Sequence, residues 1–251
     1  MREVRVFPDV GSLAQAAAEH VVEVAAEALA ARGRLTIALA GGFTPRPAYT
    51  LLGTPAFARR IDWPRVQVFW GDERCVPPDD PRSNYRIARE ALLERVPLPP
   101  GNVHRLRGED PPVQAAAAYE ATLRGFFAPS GAPPNALPSS GFDLILLGMG
   151  ADGHTASLFP GTAAVTERVR WVAAQHVRAV SMWRITLTPG VINAAANVTF
   201  LVAGADKAQR LQEVLEGRLR LEDLPAQAIK PTHGRLRWLV DATPARLWQG
   251  P

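Results

Sequence analysis

The chain has 251 residues, enough to bury one large core, and its 47% hydrophobic and 21% charged residues match a globular protein rather than a disordered one. The formal charge of +4 comes almost wholly from arginine, since Lys207 and Lys230 are the only lysines. No basic block interleaves with aromatics, which argues against nucleic acid as a partner. The single cysteine, Cys75, excludes an internal disulfide and a cysteine-rich zinc site. The first residues lack an apolar signal core, and no apolar run reaches the roughly 20 residues of a membrane helix. The expectation is a soluble cytoplasmic protein with no membrane contact.

Residues 4–7 read as a short strand. Ser12 is placed to cap an Ala-rich helix that runs to about residue 32, where Gly33 stops it. Residues 35–40 form an apolar strand that meets GGFTP, where Thr44 is placed to cap a helix with Pro45 in its first turn. The strand 66–70 leads into GDERCVPPDDPRSN, a run of turn formers read as a loop. Ser83 is placed to cap a helix to about residue 93, and residues 111–127 read as another. The segment APSGAPPNALPSSG, 128–141, reads as a flexible surface insertion, because the strand–loop pattern continues unchanged beyond it. Residues 142–147 form the central apolar strand, and 169–173, 185–188 and 198–203 read as further strands. A glycine turn and helix, GADKAQRLQEVLEG, precede a last strand at 236–240. Apolar strands alternating with helices predict an α/β fold: one domain over residues 1–251, its largely parallel sheet flanked by helices on both faces.

Four of these strands end in a glycine-containing loop with polar content: 41–45, 71–74, 148–154 and 204–207. If the strands are parallel, all four loops meet at one sheet edge, where open α/β sheets bind ligands. Gly41 and Gly42 let the backbone come close to a ligand, and the helix start beyond them favours phosphate. Lys207 adds a cation at the same edge. Arg74 and Arg184 are candidates for the same anion, although either taken alone is better explained as a surface ion-pair partner.

Gly148, Gly150 and Gly153 match G-x-G-x-x-G, but the dinucleotide motif needs a helix at the loop and an acid about 20 residues on. Pro160 and Gly161 interrupt the chain first, so no nicotinamide nucleotide is expected. Asp152 and His154 supply too few donors for a metal, and His20, His104, His176 and His233 have no matching spacing. No metal or redox cofactor is expected. His154 lies in a glycine loop two residues from a carboxylate, and an imidazole pKa of about 6.5 suits general-base work near neutrality. Asp152 is placed to orient it. Ser83 and Ser157 lack a G-x-S-x-G elbow, and Cys75 reads as a small buried residue rather than a nucleophile.

Together these segments resemble the glucosamine-6-phosphate isomerase/6-phosphogluconolactonase family over nearly the whole length. The resemblance rests on GGFTP, WGDERCVPPDDPRSNY, GMGADGHTASLFPG, RITLTPGVIN and LVAGADKAQRL, in that order, and the third is the most specific. It implies a sugar-phosphate-isomerase-like domain with His154 as catalytic base and Asp152 beside it. It implies substrate contacts from Gly41, Gly42, Phe43, Thr44, Asp72, Arg74, Asn84, Gly150, Gly153, Arg184 and Lys207. The implied reaction is hydrolysis of a phosphorylated sugar lactone by activated water, in a monomer or small homo-oligomer. One departure stands out: members commonly carry Ser where this chain has Phe43. In the deaminase branch the histidine loop continues into a glutamate. Here residues 155–160, TASLFP, hold no acid, which favours the lactone-hydrolysing branch. A deaminase-type enzyme and a non-catalytic sugar-phosphate-binding module remain the alternatives.

Overall fold

The computed structural model describes residues 2–129, 131–133, 136–138 and 140–250. Strand β1 (Arg2–Phe7) leads into helix α1 (Val10–Arg32). Asp9, not Ser12, caps α1; its carboxylate accepts from the Ser12 N–H at 2.7 Å. A charged acceptor at the positive helix end satisfies an orphan donor better than a hydroxyl inside the first turn. Gly33 closes the helix at φ 70°, a left-handed backbone that disfavours a β-carbon.

Strand β2 (Leu35–Leu39) is buried throughout, and α2 (Arg46–Leu52) and α3 (Pro55–Ala58) follow. Thr44 does not cap α2. Pro45 holds the cap position, where its fixed φ and missing N–H suit a helix start without a side-chain acceptor. Strand β3 (Val66–Trp70) continues through Gly71 into β4 (Asp72–Arg74), so three residues expected in a loop are strand. Ser83 caps α4 (Asn84–Ala91) as expected, accepting from Arg86 N, and α5 (Pro112–Phe127) comes next.

The insertion expected at 128–141 lies partly outside the described residues. Within its described part, the Ala136 carbonyl accepts from Trp171 Nε1 at 2.8 Å. Then come β5 (Leu144–Gly148), β6 (Val172–Val177), β7 (Met182–Leu187), α6 (Pro189–Asn193), β8 (Asn197–Val202), α7 (Ala208–Glu216), β9 (Arg235–Asp241) and α8 (Ala242–Ala245).

The main sheet has six strands in the order β1-β9-β8-β5-β2-β3, and every neighbouring pair is parallel. The near-continuous burial of β2 and β8 is the mark of strands covered on both faces. The expected largely parallel sheet is present, and a second, small antiparallel sheet, β4-β7-β6, accompanies it. Gln175 and His176 interrupt the apolar pattern of β6, so the sequence placed that strand too early. Gly71 joins the two sheets: its N–H donates to Leu39 O and its carbonyl accepts from Leu187 N.

From β2 the chain steps outward to β3, then returns to place β5 on the other side of β2. β2 and β5 pair only at Ile37 with Leu144 and Ala38 with Ile145. Their carboxyl ends therefore part from each other, each still paired with its outer neighbour, where the strand order reverses, the point at which open α/β sheets form a crevice. Among the described residues no helix is long and apolar enough to cross a membrane.

Candidate active site

All four glycine loops converge on this crevice. A cleft of about 520 Å³ is lined by Gly41, Gly42, Phe43 and Thr44 after β2, by Gly71, Asp72 and Arg74, by Gly148, Met149, Gly150 and His154 after β5, and by Lys207 after β8. Asn84, at the start of α4, completes that wall. Three residues named from sequence lie off the cleft wall: Asp152, Gly153 and Arg184. A larger cavity of about 860 Å³ includes Thr36 and Asp143, at the amino ends of β2 and β5, and is thus at the opposite sheet edge from His154.

The loop after β5 folds back on itself. Gly153, at φ 87°, donates from its N–H to Gly150 O at 3.0 Å, and Gly150 N donates to His154 O at 2.9 Å. The turn brings the His154 ring over Gly150 and sets its Nδ1 2.5 Å from Asp152 Oδ1. The same carboxylate oxygen accepts from the His154 backbone N–H at 3.1 Å. With Nδ1–H donating to a carboxylate, the neutral ring keeps Nε2 as its acceptor. Phe159 stacks on the imidazole at 4.0 Å between centroids and 19° between planes. Burial alone would raise the Asp152 carboxyl; the hydrogen bond from His154 and its charge outweigh that and hold it below the ordinary range.

Asp72 ties three segments together beneath the cleft. Its Oδ2 accepts from Ser157 Oγ at 2.6 Å, and its Oδ1 and carbonyl accept from Asn84 Nδ2 at 3.0 and 2.9 Å. A β-carbon on Gly41 would fall 1.8 Å from Asn84 Oδ1, so the close approach of the 41–45 loop to α4 requires glycine there. Next to Asp72, Glu73 is 2% exposed and accepts from the N–H groups of Arg74, Asn84 and Tyr85 and from Ser83 Oγ. Burial outweighs those donors and pushes its carboxyl up to about 7.

Arg74 and Arg184 sit directly opposite each other in the β4–β7 register. The Nε atoms of both are buried without a hydrogen-bond partner among the described residues. Arg184 is 9% exposed and stands 6.0 Å from the Phe159 ring; burial first, then the Arg74 charge, bring its pKa below that of a free arginine. Arg74 reaches the cleft and Arg184 stays off its wall. Lys207 closes the turn after Gly204, whose φ is 103°, and its ammonium pairs with the Asp206 carboxylate.

Sequence reasoning named the cleft residues but missed its supports: Phe159 against the imidazole, Ser157 under Asp72, Glu73 under α4, and Gln175, whose Nε2 donates to Ser157 O at 2.7 Å. One signal was available, since Asp72 and Glu73 directly follow a buried apolar strand. Of the nucleophiles weighed from sequence, Ser157 has its hydroxyl committed to Asp72. Burial first and Glu73 second push the Cys75 thiol up to about 11. Among the described residues no group of three or more His, Cys, Asp or Glu is arranged to hold a metal ion.

The parallel sheet with its switch-point cleft defines the chain as a sugar-phosphate-isomerase-like α/β protein. A family model described as glucosamine-6-phosphate isomerases/6-phosphogluconolactonase matches residues 8–238, and the chain belongs to this family. It is 40% identical over 242 residues to a 6-phosphogluconolactonase from Nostoc sp., covering 96% of each chain. It is 43% identical over 216 residues to a 6-phosphogluconolactonase from Synechocystis sp., covering 86% of this chain and 85% of the relative. The solved structure of 6-phosphogluconolactonase from Trypanosoma brucei superposes with a TM-score of 0.85 at 29% identity, covering 99% of each chain.

Proposed function

We infer that this chain hydrolyses 6-phospho-D-glucono-1,5-lactone to 6-phospho-D-gluconate, the lactone-opening step of the oxidative pentose phosphate pathway. The observation that carries the site assignment is the His154–Asp152 contact of 2.5 Å on a cleft whose wall also holds the 41–44 backbone and Lys207. The phosphate docks against the N–H groups of Gly42, Phe43 and Thr44 with Lys207 as counter-charge, and Arg74 adds a second cation. The lactone carbonyl then lies toward His154.

His154 Nε2 takes a proton from water as the water oxygen bonds to C1. Asp152 holds the Nδ1–H and stabilises the imidazolium that forms. The oxyanion is met by Arg74 or by a backbone N–H of the histidine loop other than that of Gly150, which is bound to His154 O, and one well-aimed donor is worth about 3 kcal/mol. As the intermediate collapses, the bond from C1 to the ring oxygen breaks and the ring oxygen takes the proton from Nε2. Water and lactone are consumed, and the open-chain acid leaves. Gly153 shapes the histidine turn, and Arg184 sits behind Arg74, so both act indirectly.

We read residues 1–251 as one catalytic domain, which the buried cluster running from Ala18 to Ala245 supports. A doubly charged sugar phosphate does not diffuse across bilayers, which supports a cytoplasmic location.

The test is an assay with freshly made lactone, corrected for spontaneous hydrolysis, beside glucosamine 6-phosphate with ammonia detection. Lactone hydrolysis without ammonia is expected, and His154→Ala should lower kcat by about 10²–10⁴-fold. Ammonia release with no lactone turnover would replace this reading with the deaminase one.

A further inference from the structure

Phe43 is 86% exposed, the most exposed large apolar side chain among the described residues, and the only one of the exposed set that lines the cleft. Scattered exposed apolar residues need no explanation. This one stands at the mouth of a binding cleft, on the loop that offers its backbone to phosphate. It follows Gly42, which at φ 90° turns the chain sharply before it. The remaining lining is glycine and alanine backbone, Leu146, Leu147, Met149, Pro45 and polar groups, with His154 the only other aromatic ring. The cleft therefore has one carbocyclic aromatic face, and it is uncovered when the cleft is empty.

A six-membered sugar lactone has polar edges and a face made largely of C–H groups. Such a face pairs with an aromatic ring, and an exposed ring gains by being covered. We propose that Phe43 is a specificity-determining residue whose ring packs on the C–H face of the substrate's lactone ring. The contact adds an apolar grip on the sugar beside the backbone that holds the phosphate. The proposal rests on the functional reading above, with phosphate at residues 41–44. Because the ring touches no reacting atom, the contact is equal in ground and transition states, so it acts on KM and not on kcat.

The test is steady-state kinetics on the fresh lactone for the full chain, Phe43→Ala and Phe43→Tyr, with inorganic phosphate as a competitive probe of the anion subsite. Alanine removes the ring without adding a donor, and truncating so exposed a side chain leaves stability almost unchanged. Phe43→Ala should raise KM about tenfold with kcat kept, Phe43→Tyr should restore wild-type KM, and the phosphate inhibition constant should not move. An unchanged KM in Phe43→Ala would sink the proposal. A parallel rise in KM and in the phosphate constant would also overturn it, since it would trace the effect to the loop backbone. Failure of the functional reading is separately visible as absent turnover by the wild-type chain, and the proposal falls with it.

Discussion

A β-carbon on Gly150 would lie 2.1 Å from His154 Nδ1 and 2.7 Å from Asp152 Oδ1. The imidazole and its carboxylate partner occupy space that only glycine leaves open. Gly150→Ala must therefore push the ring off its hydrogen bond or deform the turn. The expected outcome is a fall in kcat of about 100-fold, since a misplaced base costs rate steeply. Circular dichroism should show the fold retained, because the cleft side of the turn can shift without opening the core.

Asp152→Asn keeps the size of the side chain and removes its charge. The imidazolium formed during proton transfer then has no anion at Nδ1–H. A drop in kcat of about 100-fold with little change in KM is expected. A raised KM with kcat unchanged would show that Asp152 serves binding instead.

Lys207→Ala removes the cleft's one lysine. KM for the phosphorylated lactone should rise about tenfold or more while kcat changes little. Inhibition by inorganic phosphate should weaken in parallel. The wild-type KM should climb with ionic strength more steeply than that of the variant, because salt screens an exposed charge pair.

Glu73 gives the fold a pH dependence. Its carboxyl sits at about 7 in the folded chain, against 4.5 for a free glutamate. Between those values the folded state holds a proton that the unfolded state has released. The contribution of Glu73 to stability is therefore full below about pH 4.5 and is lost as pH rises toward 7. Glu73→Gln should flatten that slope in urea unfolding series taken across this range. It should also lower stability by about 1–3 kcal/mol, because the new NH₂ faces backbone donors and leaves one unpaired.

Much of the site was legible because its residues cluster in short runs at strand ends. GGFTP, GMGADGH and GADK each follow an apolar strand, and parallel pairing of β2, β5 and β8 was enough to bring them together. Asp72 and Arg74 were named, but their strand was read as a loop: three residues between Gly71 and Cys75 carry no periodicity, and only pairing with β7 makes them β4. The caps of α1 and α2 were misplaced for a local reason. Ser12 and Thr44 are good caps by type, yet Asp9 and Pro45 stood close by and suited the helix starts better.

The order of apolar strands and glycine turns determined by itself that this is an α/β chain with one loop-built ligand edge, and that His154 and Asp152 share a turn. Those are properties of neighbours along the backbone, set by periodicity and by where glycine permits a reversal. Tertiary structure alone decided that Phe159 packs on the imidazole, that Ser157 holds Asp72 from 85 residues away, and that Arg74 rather than Arg184 reaches the cleft. Such contacts depend on which side chains the crossing of two sheets brings within a few ångströms, and no local pattern encodes that distance.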